Sequence, residues 1–359
     1  HDQLGLFDTP PTPKQIRLSV AIVGVLMAML ALMSVVRDVP LGQIESFIPM
    51  VDSVTSLVDL IIATLLYVQA GVFRSRALTA LASGYVFTAL VLIPHALTFP
   101  GAFSPTGLLG AGLGTTAWIY ICWRAALPIS VILYVFFNRA DVAAQPAKER
   151  RSPRIAEGVL VAVVLAVAVT LVGTIGQDML PVLFVDRMRR DTANMFIVSC
   201  ILMALFAVAV ALLGRKRKSV LDIWLLVVLA AWVSQTLLLQ SLGGRFTVNW
   251  YFSIAVVLLS HLFLMLALIA ESSRLYARLA LSTAARNREH DTRLMSMDAV
   301  AAAISHEVGQ PLTAVTVNAL AGLNWLTLAQ PDLERAKESL RATLDAGRRS
   351  TDVIHSIRA

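Results

Sequence analysis

Eight apolar blocks recur along the chain, near 18–36, 50–72, 77–97, 116–137, 155–175, 193–213, 220–240 and 250–270. Each has about the 20 residues that a helix needs to cross the hydrocarbon core of a bilayer. The blocks leave few charges elsewhere: 57% of residues are hydrophobic and 15% charged, against about 45–50% and about 25% in soluble domains. A water-soluble enzyme is therefore excluded as the main body. An outer-membrane barrel is excluded too, because its strands alternate in polarity and run only about 9–11 residues. The expectation is an all-α, polytopic membrane bundle with both ends on one side.

The formal net charge is +7. Its carriers sit in the short loops, so they are read as topology signals and not as a nucleic-acid surface. One set of loops holds Lys14 and Arg17, Arg74 and Arg76, Arg139 with Lys148 to Arg154, Arg215 to Lys218, and Arg274 with Arg278. The other set holds Arg37, Arg187, Arg189, Arg190 and Arg245. The richer set is placed in the cytoplasm, which puts both termini there. Arg187, Arg189 and Arg190 alternate with Asp178, Asp186 and Asp191, which suggests an ion-paired loop. Cys122 and Cys200 lie inside apolar blocks and offer no disulfide framework or zinc spacing.

After Ala270 the chain becomes charged and rich in Ala and Leu. Met297, Ala301, Ile304 and Val308 step by four, three and four, a coiled-coil seam that Val315 continues. Leu275 and Leu279 suggest that this helix leaves the membrane directly from the eighth block. A second helix should begin near Pro331-Asp332, with Leu333, Leu340, Leu344, Ile354 and Ile357 as its apolar side. Two such helices make a hairpin, and two hairpins make a four-helix bundle, so a homodimer is expected.

With Ile304 at seam position d, His306 falls at f, the outward position. An exposed His is a nucleophile near neutral pH. Pro311 removes a backbone hydrogen bond one turn later and should kink the helix. The run Ser305-His306-Glu307-Val308-Gly309-Gln310-Pro311-Leu312 resembles the H-box of sensor histidine kinases, Ser-His-Glu-x-x-x-Pro-Leu, in the subgroup ending Gln-Pro-Leu. The later run from Asp345 to Arg358 is similar to the second helix of that dimerisation and phosphotransfer domain.

The resemblance implies that His306 accepts the γ-phosphoryl group of ATP on Nε2. It implies that Glu307 bonds Nδ1 and acts as general base, and that an Asp of a response regulator receives the phosphoryl group. Gln310 stands where many members carry Thr or Asn to position water for phosphatase activity. The ATP- and Mg-binding domain of the family is not expected within this chain. The glycines Gly107, Gly110, Gly112 and Gly114 form an outer loop without a P-loop Lys, so no nucleotide site is expected there.

The stretch from Ile93 to Gly110 is similar to the fourth class of integral membrane-associated sensor domains, a group found ahead of bacterial signalling outputs. Thr115 to Trp118, Arg245-Phe246 and Trp250-Tyr251 extend the likeness. The resemblance implies a signal ligand of unknown identity. Arg124 stands where relatives are expected to carry His.

Ionisable residues at membrane depth are costly and point to function. Asp59, His95, Arg124 and His261 are the sensor candidates, with Asp52 one or two turns outward of Asp59 and an Asp59–Arg124 ion pair as one pairing, either functional or purely structural. Trp118, Trp123 and Trp250 near block ends are read as interface anchors among membrane lipid. His95 and His261 have no Cys/His partners in sequence, so no metal is expected.

The plan is an N-terminal segment 1–15, a membrane sensor 16–270, a signalling helix 271–296 and a phosphotransfer domain 297–359. A transporter or channel with a coiled-coil tail, or a non-catalytic phosphotransfer or scaffold protein, are the alternative readings.

Overall fold

The structure, a computed structural model, describes residues 10–35, 39–143, 154–185, 191–216, 219–240 and 246–358. Of the loop charges named above, Arg37, Lys148, Arg150, Arg151, Asp186, Arg187, Arg189, Arg190, Arg217, Lys218 and Arg245 lie outside the described residues, and Arg139 and Arg278 lie outside the described side chains. The regular structure among the described residues is α-helical apart from one 3-10 turn, Gln177–Met179, and isolated bridge residues that include the pair Pro40 and Thr247. The helices are α1 Pro13–Val35, α2 Phe47–Phe73, α3 Arg76–Thr98, α4 Thr115–Ala143, α5 Ile155–Thr174, α6 Thr192–Lys216, α7 Val220–Gln240, α8 Val248–Leu326 and α9 Leu333–Arg358. Eight contain a stretch long and apolar enough to cross a membrane.

The chain divides into two compact units, His1–Leu275 and Tyr276–Ala359. In the first, large side chains such as Leu57, Leu160, Phe196 and Leu266 are exposed, while polar groups such as Asp59, Arg124 and Asp222 are buried. This inversion of a soluble protein is what lipid requires: apolar groups face the bilayer and polar groups find partners inside. α3 lies centrally, against α2, α4 and α5.

α5 shows how close packing arises without a hydrophobic drive between helices. It is apolar on all sides, and only Ala162, Ala166, Gly173 and Thr174 are buried. Gly158 begins the same stripe, and a Cβ there would collide with the Ser83 hydroxyl on α3. Small residues four apart let backbones approach, which supplies van der Waals contact in place of the hydrophobic effect.

The register of α2 positions the site. Against α3 it is antiparallel: Asp52 reaches His95, Ser56 donates to Ala89 O at 2.9 Å, and the Tyr67 and Ser83 hydroxyls meet at 2.9 Å. Against α8 it is parallel: Asp59 reaches His261, and Gln69 Nε2 donates to Ser272 Oγ at 3.2 Å. Spans that alternate in direction require both relations.

The glycine loop after α3 folds back on that helix. Leu108 N–H donates to Leu97 O at 2.8 Å, and the Thr116 hydroxyl to Thr98 O at 2.7 Å. Gly107 has a φ of +88°, and a Cβ there would strike the Thr98 carbonyl. Its glycine is thus fixed by backbone shape and close approach. Trp123 and Trp250 are buried, which corrects their reading as interface anchors. Trp250 packs with Phe47, Phe246 and Tyr251, and Tyr251 also donates to Gly42 O at 2.8 Å. Trp118 does sit partly exposed and donates to Pro181 O.

In the second unit α8 and α9 form the hairpin. Asp332 caps α9 by accepting from Arg335 N–H at 3.1 Å, with Pro331 just before the cap. α8 runs through Pro311 without a break in the helix. Ile304, Val308, Pro311, Val315, Asn318, Gly322 and Trp325 form one half-covered heptad stripe, whereas Met297 and Ala301 are exposed. The facing stripe of α9 is not the expected leucine side. Ala336, Ala346 and Ser350 are buried, and Leu333, Leu340, Leu344 and Ile354 are exposed by half or more. Small residues close the hairpin because a side chain as large as Leu would hold the helices apart: Gly322 already lies at contact distance from Ser339 and the Ala336 carbonyl.

Candidate functional site

In the membrane unit two carboxylates on α2 each hold a histidine. Asp52 and Asp59 are seven residues apart, about two helical turns, and so share a face. Asp52 Oδ2 lies 2.6 Å from His95 Nδ1, near the end of α3. Asp59 Oδ1 lies 2.5 Å from His261 Nδ1 in α8, and Asp59 Oδ2 accepts from the Thr88 hydroxyl at 2.7 Å. A carboxylate can only accept, so in each pair the imidazole Nδ1–H donates. Asp59 is fully buried and His261 is 1% exposed. Each carboxylate thereby fixes the tautomer and orientation of its ring, as second partners do for catalytic and ligating histidines.

The Asp59–Arg124 ion pair does not form, because both oxygens of Asp59 are taken by His261 and Thr88. Arg124 is 1% exposed and makes no ion pair among the described residues. Its Nη2 donates to Trp232 O at 2.7 Å and to Thr236 Oγ1 at 2.5 Å. Its guanidinium sits 4.3 Å from the Trp232 ring centroid and 5.3 Å from that of Phe206. A desolvated cation over an aromatic face gains about 2 kcal/mol. Arginine's flat, weakly hydrated guanidinium suits this role.

Aromatic rings connect the two acid–histidine pairs. His95 lies 6.1 Å from Trp123, Trp123 lies 5.5 Å from Trp232, and His261 stacks on Trp232 at 5.4 Å and 17°. Tyr85 meets His261 edge-on at 6.3 Å. Thr88, Tyr85 and Trp232 are the members that sequence reasoning missed. The cost of an ionisable group at membrane depth singled out Asp59, but nothing in sequence names the helix that answers it. Asp222 was missed as well. It forms a capping box with Ser219 at the start of α7, a legible Ser-x-x-Asp signal, and accepts from the Tyr134 hydroxyl at 2.8 Å.

In the second unit His306, Glu307 and Gln310 are exposed on α8, and Pro311 is half-buried in its stripe. His306 thus stands on the solvent side of its helix. Gln310, one turn on, meets His306 Nε2 at 3.0 Å. Glu307 makes no hydrogen bond to the ring among the described residues. Its side chain points elsewhere because neighbours in sequence diverge by about 100° around a helix.

The membrane unit is thus an all-helical bundle with two acid–histidine pairs and a chain of ring contacts in its interior. Residues 42–276 match the family model MASE4, a membrane-associated sensor, integral membrane domain. The chain belongs to that family; the match begins after α1 and runs from α2 into α8. The sensor histidine kinase TmoS of Ectopseudomonas mendocina is 37% identical over 68 residues, 19% of this chain and 7% of that protein. The chain thus spans a small part of that relative's length. No solved structure matches the chain.

Proposed function

We propose that this chain is the membrane receiver and phosphoacceptor part of a bacterial sensor histidine kinase of the His-Glu-x-x-Gln-Pro-Leu subgroup. The observation that carries the reading is His306, exposed on the outer face of a regular helix inside a complete Ser-His-Glu-x-x-x-Pro-Leu run. The family membership and the partial likeness to a sensor histidine kinase support it.

In this reading a kinase catalytic domain supplies ATP and Mg. His306 Nε2 attacks the γ-phosphorus, ADP leaves, and the phosphoryl group later passes to an Asp of a response regulator. Glu307 takes up charge at Nδ1 after a rotamer change, and Gln310 must release Nε2 before attack. The outward Leu340, Leu344 and Ile354 of α9 are the face on which a second hairpin docks to complete a four-helix bundle. Both termini lie in the cytoplasm, the richer basic loops beside them, and the spans cross the inner membrane.

The test is labelling of the native protein in its own membranes with radioactive ATP, wild type beside His306→Ala. Acid-labile, alkali-stable label lost in the variant is the expected result. Label that persists in His306→Ala assigns the acceptor elsewhere and overturns the proposal.

A further inference from the structure

We propose that the cleft between α3, α4, α7 and α8 binds a membrane-soluble, single-ring compound carrying a hydrogen-bond-accepting oxygen, of the phenol or small-quinone kind. The cleft is lined by Gly84, Tyr85, Thr88, Leu127, Ser130, Trp232 and His261. Three of these carry a buried polar atom without a hydrogen-bond partner: Tyr85 Oη, Trp232 Nε1 and His261 Nε2. Each of the three residues is at most 2% exposed. In the apolar interior of a membrane such an atom costs several kcal/mol, because no bulk water can satisfy it. Around one cleft stand two groups that can donate, the indole N–H and the Tyr85 hydroxyl, and one imidazole nitrogen that can accept: a polar set in search of a partner.

The chemistry of that set defines the ligand. Trp232 Nε1–H can only donate, and the Tyr85 hydroxyl can donate or accept. His261 commits Nδ1–H to Asp59, which leaves Nε2, across the ring, as its free polar atom. The occupant must therefore present an oxygen to the indole and can share a proton with Tyr85 or His261. The walls are flat rings, with His261 stacked on Trp232 and Tyr85 edge-on to it. The cleft is small, so its occupant is a single flat ring that can slip between these walls and not a haem or a nucleotide. The position inside the apolar spans requires a ligand that partitions into the bilayer.

The cleft is too narrow for a water-sized sphere, so an occupant must spread its walls. Gly84 sets how near they come: a Cβ there would overlap the Ser130 hydroxyl of α4. Spreading acts on His261 and hence on α8 itself, and through Asp59 on α2. The inference rests on the sensor family alone. It is read by binding, so its failure would leave the assignment of His306 untouched.

The experiment uses the whole chain in lipid nanodiscs, titrated calorimetrically with p-cresol, with p-xylene, which has methyl in place of hydroxyl, and with ubiquinone-0. Expected is p-cresol about tenfold tighter than p-xylene, the effect of one satisfied hydrogen bond. Tyr85→Phe should weaken p-cresol about tenfold and leave p-xylene unchanged. Trp232→Phe should weaken p-cresol at least as much. Without ligand, Tyr85→Phe should melt at or above the wild-type temperature, because it removes only an unpartnered hydroxyl, whereas Trp232→Phe also shrinks a fully buried ring beneath Arg124 and should melt lower. Displacement of p-cresol by ubiquinone-0 at lower concentration would support the proposal with a quinone as occupant, and the reverse order would support it with a phenol. Equal affinity for p-cresol and p-xylene, or variants that bind p-cresol as wild type does, would overturn it.

Discussion

Breaking the Asp59–His261 pair should be far more costly than removing it. The two atoms lie 2.5 Å apart and the residues are essentially inaccessible. The bond from an imidazole N–H to a carboxylate contributes about 1.5–3 kcal/mol, and removing one partner adds the cost of leaving the other buried and unpaired. Asp59→Leu strands the His261 Nδ1–H, while the Thr88 hydroxyl keeps its bond to Tyr85 O at 2.9 Å, and His261→Phe keeps the ring on Trp232 while stranding a carboxylate. Each single change should cost about 3–5 kcal/mol, the usual penalty for an uncompensated buried charge. The double variant Asp59→Leu/His261→Phe strands no charge and should lie within about 1 kcal/mol of wild type. Unfolding of the purified chain in mixed micelles with rising SDS measures all four states. Costs that simply add in the double variant, within about 0.5 kcal/mol, would refute the pairing. The cycle of Asp59→Leu with Arg124→Met should show a much smaller coupling, because Arg124 is held by Trp232 and Thr236.

Other substitutions probe neighbouring features. Arg124→Lys keeps the charge but loses the flat stacking on Trp232, and should lower stability by about 2 kcal/mol in the same assay. Gly84→Ala should destabilise by about 1–3 kcal/mol through overpacking against the Ser130 Oγ and Cβ; Ser130→Gly in the same chain should recover more of the loss than Ser130→Ala, which keeps the obstructing Cβ. Gly107→Ala should be as damaging, with no rescue by any neighbouring side chain, because the obstacle is the Thr98 backbone; its melting temperature will report this. Leu344→Glu lies on an exposed face of the protomer, so it should leave thermal stability of the monomer nearly unchanged. It should nonetheless shift the chain from dimer to monomer in sedimentation, if that face is the docking face.

The extent of the membrane helices was legible because bilayer thickness dictates block length directly: the second block, 50–72, became Phe47–Phe73 and the fifth, 155–175, became Ile155–Thr174. The pairings were not legible. Asp59 could have met Arg124, His95 or His261, and His261 is 202 residues away. Only the parallel packing of α2 on α8 decides, and hydropathy carries no information on which apolar helix adopts which neighbour. Arg124 illustrates the same limit, since a buried cation suggests an acid although aromatic faces and a carbonyl hold it. Trp123 and Trp250 were misjudged because a tryptophan near a span end reads alike whether it faces lipid headgroups or the protein core. In the hairpin the leucines of α9 looked like the closing side. The actual closing side is Ala336, Ala346 and Ser350, because an apolar stripe does not say whether its partner is in the same chain. His306, by contrast, was placed outward by heptad phase alone, and it is exposed.

The central claim is that the membrane unit governs phosphorylation at His306 through α8. Insertions between residues 280 and 290 test it most directly, with label on His306 measured in native membranes. Seven added residues turn the helix by nearly two full rotations and keep its faces in phase, whereas two added residues rotate them by about 200°. The account predicts label within about twofold of wild type for the first and a change well beyond that for the second, since the phase of a helical connection decides which face meets its partner. Equal labelling of both insertions and the wild type would contradict it.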